Sequence, residues 1–169
     1  INTSGLTTVL STGANYTFNA TAAQVTTGLP AQANNITIDN ATGVTLSGLN
    51  QTITGSLALA NGAFLLDGRT VTFINNNLPI QRTNGTITTN NATTLVFGTS
   101  GNTAGADFTL PNGLFTGTPN LAQLTVNRTN PLRAGTNDLV IHGSLTLTAG
   151  IFDVSGSTLT FQTGNTPLV

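Results

Sequence analysis

The chain contains no cysteine, methionine, tryptophan, lysine or glutamate, and its 169 residues carry only four arginines, five aspartates and one histidine. Each absence excludes something. Without cysteine there is no disulfide scaffold and no thiolate zinc site. Without lysine, glutamate and methionine, most of the strong helix formers are missing. Charged residues make up 5% of the chain, against about a quarter in an ordinary globular domain. That leaves no basic stripe for a nucleic-acid backbone and no polybasic patch for an anionic membrane surface. No apolar run approaches the roughly 20 residues of a spanning helix. Neither nucleic acid nor membrane insertion is therefore expected. No charged segment followed by an apolar stretch opens the sequence, so a secretory signal is expected to lie upstream or to have been removed already.

What is present points to strands. Thirty-five threonines, 21 asparagines and 19 glycines accompany valine, isoleucine, leucine and phenylalanine. β-Branched and aromatic side chains suit a pleated, half-buried surface. With 38% apolar residues and a net charge of −1, the composition is not that of a disordered chain. An all-β protein is expected.

An internal repeat organises the sequence. Gly55-Ser56-Leu57-Ala58-Leu59 returns as Gly143-Ser144-Leu145-Thr146-Leu147, a shift of 88 residues. At that shift Gly62, Phe64, Gly68, Thr70, Thr72 and Phe73 meet identical residues, giving ten identities over the nineteen positions 55–73. Ile36-Thr37-Ile38 meets Leu124-Thr125-Val126, Ile53 meets Ile141, and Pro79 meets Pro167. Two copies are expected, at 1–83 and 84–169, stacked as one rod. Within a copy the apolar period is two, as in Ile36/Ile38, Val44/Leu46, Leu57/Leu59 and Val71/Phe73. Successive strand residues point to opposite faces, so one face is apolar and the other carries Thr, Ala or Ser. Turn dipeptides such as Asn61-Gly62 and Asp67-Gly68 separate the strands.

Short, evenly spaced strands fit a β-solenoid or a β-sandwich. The tandem copies favour the solenoid, a parallel β-helix-like coil, with a sandwich of repeats as the alternative. So do the many Asn and Thr residues, which can form hydrogen-bond ladders between coils, and the low charge. At roughly 20 residues and ~4.8 Å per coil, about eight coils and a rod on the order of 40 Å are expected. Residues 167–169 followed by 1–8 align with the junction at 79–89, as if the end should run into another beginning. Ile1, Leu6, Pro167, Leu168 and Val169 are the expected assembly interface, because a solenoid end without a polar cap is sticky.

Catalytic chemistry finds little support, and no enzyme, cofactor or metal is expected. The single His142 occupies the position of Thr54 in the repeat, on the outward parity beside a Gly-Ser turn. Asp67 and Asp153 resemble a carboxylate pair for glycoside hydrolysis, but they stand in different registers and each adjoins a turn that Asp commonly builds. Polysaccharide lyases use β-solenoids too, yet Arg69, Arg82, Arg128 and Arg133 form no visible cluster. Asn-x-Ser/Thr triplets such as those at Asn15, Asn19, Asn35 and Asn127 follow from composition alone. Outward Thr-x-Thr pairs are the remaining feature. Flat threonine arrays on solenoids order water and bind ice, and Thr70/Thr72 with Thr158/Thr160 recur at one repeat position, a candidate ordered face.

The strings Asn35-Ile36-Thr37-Ile38, Gly43-Val44-Thr45-Leu46, Gly143–Gly150 and Gly156-Ser157-Thr158-Leu159-Thr160-Phe161 resemble the repeat regions of large secreted, adhesin-like surface proteins of Bacteroidetes-type bacteria. The resemblance covers most of 29–79 and 118–167. It implies export to the cell surface and a structural or adhesive role, with no catalytic residues to carry over. The function expected is a segment or subunit of an extracellular fibre whose partner is itself, either head to tail or as adjacent repeats. The alternative is an adhesin stalk or binding module for a carbohydrate, a host surface or ice, with a surface glycan as a candidate partner.

Overall fold

Three strand-sized apolar alternations per twenty or so residues, each broken by a turn, wind the chain into a coil. The computed structural model describes residues 10–100 and 104–162. Among them there are strands and no helix, and the parallel sheets stack as a β-solenoid of about seven turns. The all-β solenoid expected from composition and periodicity is therefore the fold, and the sandwich is not.

The first turn holds β1 (Tyr16–Phe18), β2 (Gln24–Val25) and β3 (Gln32–Ala33); the second holds β4 (Ile36–Asp39), β5 (Val44–Thr45) and β6 (Gln51–Ile53). The third holds β7 (Leu57–Asn61), β8 (Ala63–Leu65) and β9 (Thr70–Phe73); the fourth holds β10 (Ile80–Arg82), β11 (Thr86–Thr88) and β12 (Thr94–Phe97). Then follow β13 (Phe108–Thr109) and β14 (Asn120–Asn127), β15 (Leu132–Arg133) and β16 (Leu139–Ala149), and finally β17 (Phe152–Asp153) and β18 (Leu159–Phe161). Every pairing is parallel, because the coil itself supplies the crossover that parallel neighbours require.

Sheet I stacks β1-β4-β7-β10, and sheet II stacks β2-β5-β8-β11. Sheet III runs almost the whole described length as β3-β6-β9-β12-β14-β16-β18, and sheet IV is β13-β15-β17. The turns differ in length. Tyr16 pairs with Ile36, Ile36 with Leu57 and Leu57 with Ile80, steps of 20, 21 and 23 residues. Thr94 pairs with Gln123, a step of 29.

The 88-residue repeat is visible pairing by pairing. Ile36↔Leu57 in the first copy becomes Leu124↔Leu145 in the second. Val44↔Phe64 becomes Leu132↔Phe152, and Ile53↔Phe73 becomes Ile141↔Phe161. Even the register shift recurs, with Asp39 opposite Asn61 and Asn127 opposite Ala149. Yet 88 residues do not complete a whole number of turns. The β4/β7 pair lies in sheet I, whereas its equivalent in β14/β16 continues sheet III above β12. The second copy is thus rotated by one face about the axis.

Inward side chains stack into columns. Ile53, Phe73, Phe97 and Val126 follow one another in sheet III, each at most 1% exposed. Phe73 and Phe97 stack with ring centroids 4.9 Å apart and planes inclined by 20°. Full burial of each such side chain stabilises by about 1.5–3 kcal/mol. The expected polar ladder is also there. Asn35 donates from Nδ2 to Asn15 Oδ1 at 2.9 Å, and its own Oδ1 accepts from the Ser56 backbone N–H at 2.7 Å, linking three turns.

Candidate functional site

Outward residues of sheet III form the most regular surface of the column. Register places Gln32, Thr52, Thr72, Val96, Thr125 and Thr146 in one line, because Gln32 pairs with Thr52, Thr52 with Thr72, Thr72 with Val96, Val96 with Thr125 and Thr125 with Thr146. Two residues earlier along each strand, a second line runs Thr70, Thr94, Gln123, Ser144. From Thr52 to Thr146 the first line is β-branched at every turn, since valine keeps the shape of threonine with a methyl in place of the hydroxyl. Gln123 donates from Nε2 to Thr146 Oγ1 at 3.1 Å, tying one line to the other. Among the described residues, no protein group hydrogen-bonds the hydroxyls of Thr52, Thr70, Thr72, Thr94 or Thr125.

This face differs in membership from the one expected. Thr70 and Thr72 belong to it, but Thr158 and Thr160 do not. Thr160 pairs with Val140 at the far end of sheet III. Rotation of the second copy by one face separates residues that share a repeat position. Matching by repeat therefore missed Thr52, Thr94, Thr125 and Thr146, which only matching turn by turn would have aligned. Ile1, Leu6, Pro167, Leu168 and Val169, the expected assembly interface, lie outside the described residues.

Of the ionisable groups, Asp107, Arg133 and Asp153 are joined in one chain of ion pairs. His142 is half-buried with Nε2 3.0 Å from Asn120 Oδ1. Asp67 sits in its turn with φ 47°, a left-handed conformation that Asp tolerates better than most residues. Asp153 accepts from the Ser155 N–H at 2.8 Å and meets Arg133 at 3.3 Å, and Arg133 reaches Asp107 at 2.8 Å. The Ser155 side chain, then its backbone N–H, and then Arg133 hold the Asp153 carboxyl below its ordinary value. Asp67 and Asp153 stand in the turn after β8 and in β17, so the structure does not bring them together as a pair. Among the described residues no three of His, Cys, Asp or Glu gather into a group able to hold a metal.

Arg128 was unremarkable in sequence and is 0% exposed in the structure. It takes the place held by buried Asn40 in the first copy, 88 residues earlier. Asn40 Nδ2 donates to Ala22 O at 2.8 Å, while Arg128 Nη2 donates to Asn76 O at 2.6 Å and also to Ala106 O. The longer side chain reaches across the wide turn that precedes β13 and lies over the Phe108 ring, 5.9 Å from its centroid. Burial lowers its pKa and the nearby Asp107 opposes that shift. Among the described residues its Nε and Nη1 have no hydrogen-bond partner.

A shallow hollow of about 190 Å³ lies between two turns, lined by Phe115, Thr118, Pro119, Thr136, Asn137 and Asp138. Its carboxylate is occupied, since Asp138 Oδ1 accepts from the Thr158 N–H at 2.6 Å. Among the described residues no helix is long and apolar enough to cross a membrane. No family model, curated protein or solved structure matches this chain.

Proposed function

We propose that this chain is a structural segment of an extracellular surface fibre that extends end to end through its β-coil, with further copies of the same unit as its partner and no catalytic role. The observation that carries this reading is the unbroken parallel stacking of the coil, turn upon turn through backbone ladders. Large apolar side chains also stay exposed along the column, among them Leu49, Leu147 and Ile151 at 58%, 37% and 59%. Apolar groups left in contact with water favour association, and a contact between unlike ends that does not close into a ring extends as a filament. Parallel strands at an end can add another strand by backbone pairing. Nine charged side chains in 169 residues offer little repulsion to such stacking.

Sedimentation velocity and negative-stain electron microscopy of the full chain test the proposal. Mass that grows with concentration, together with filaments one coil wide, is expected. Ile151→Asp, at an exposed position that does not threaten folding, and removal of residues 1–8 are each expected to abolish them. Monodisperse short rods from the unaltered chain at every concentration would overturn it.

A further inference from the structure

The outward face of sheet III is a lattice. Parallel strands lie about 4.8 Å apart, and alternate residues along a strand about 6.6 Å apart. Over five turns this grid carries Thr52, Thr72, Val96, Thr125 and Thr146 on one line and Thr70, Thr94, Gln123 and Ser144 on the other. Each threonine presents one donor, two acceptor lone pairs and a methyl group. β-Branching restricts χ1, so these groups are held in place before anything binds and lose little freedom when it does.

The other faces lack this order. The outward line of sheet I reads Thr17, Thr37, Ala58, Gln81, and that of sheet II reads Val25, Thr45, Leu65, Thr88. β-Branching on those faces is broken within three turns, at Ala58 and at Leu65.

Charge and shape select the occupant. Neither line of sheet III bears a charged residue, so the complementary surface is neutral. Neither bears an aromatic ring, which removes the stacking platform that sugar rings favour. What remains is a grid of small donors and acceptors separated by methyl groups, with the hydroxyls of Thr52, Thr70, Thr72, Thr94 and Thr125 unused by the protein among the described residues. A neutral lattice with donors and acceptors at similar spacing is crystalline water. We propose that sheet III binds the surface of an ice crystal through these two lines, an activity independent of whether the ends of the column associate.

The experiment measures thermal hysteresis and inhibition of ice recrystallisation by the full chain, beside a Thr72→Lys/Thr125→Lys variant and a Thr37→Lys control on sheet I. Circular dichroism and thermal unfolding verify that each variant is folded, and Thr94→Tyr, a single bulky intrusion on the same grid, stands in should the double variant fail to fold. Faceted crystals and a measurable hysteresis gap are expected from the unaltered chain and the Thr37→Lys control, falling to the buffer value in the sheet III variants. Three results would overturn the proposal: no effect on ice from the unaltered chain, equal loss in the control, or retention on an insoluble polysaccharide that the sheet III substitutions abolish, which would make a glycan the ligand.

Discussion

Gly62 and Gly150 show how closely the two copies repeat at the level of single atoms. They are 88 residues apart, with φ of 75° and 81°, and a β-carbon on either would overlap a carbonyl oxygen of the turn below, that of Asn40 or Arg128 respectively. Gly117 has a similar φ of 70° but open space around it. Gly117→Ala is therefore expected to cost about 1–2 kcal/mol from the left-handed backbone alone. Gly62→Ala and Gly150→Ala should each cost at least ~3 kcal/mol, because the backbone below must also move. Urea unfolding of the three variants measures the difference. Single residues were unevenly legible in the sequence. Asp67 and Asp153 were recognisable as turn builders, and both are. Burial of Arg128 was not, because it depends on the length of the turn before β13, and nothing local to Arg128 encodes that length.

Among elements, sheet III carries the most continuous internal contact. Phe73→Ala and Phe97→Ala are each expected to cost about 3–5 kcal/mol as large-to-small changes in a filled core. A double-mutant cycle should return a coupling of about 0.5–1.5 kcal/mol for the stacked rings. Additive losses would mean that the rings act only by burial. Strand positions were well forecast where alternation is strict: the apolar pairs Ile36/Ile38, Leu57/Leu59 and Val71/Phe73 lie in β4, β7 and β9 at Ile36–Asp39, Leu57–Asn61 and Thr70–Phe73. The threonine grid was not, for a physical reason. Outward residues have no packing partner to fix their pattern, so they are aligned only through the inward columns behind them. Those columns run through turns of unequal length, and counting by a fixed period loses the register between Thr72 and Thr125.

Considered whole, the molecule has few groups through which acid can unfold it. Carboxylates held below their ordinary pKa in the native state drive acid denaturation, and this chain has five aspartates and no glutamate. Asp153 is the one whose carboxyl is clearly depressed, by Ser155 and Arg133. Its folded value lies below its unfolded value, so its contribution to stability is present above about pH 4 and is lost as pH falls through the folded value. The urea midpoint is therefore expected to decline below about pH 4, with a shallower slope in Asp153→Asn. An equal slope in both would place the acid sensitivity elsewhere.

The rotation of the second copy against the first has a geometric outcome of its own. Because each 88-residue step advances the pattern by one of three sides, an array of such units would behave like a single-start thread with three units per turn. Any feature written once per copy would climb the column as a spiral staircase and return to the same side only at every third copy. A stripe straight along the axis, such as the threonine grid, is assembled from the last side of one copy and the first side of the next. Its length is set by how successive turns mesh, so inserting or deleting a few residues in the turn between β12 and β14 would cut the stripe in two.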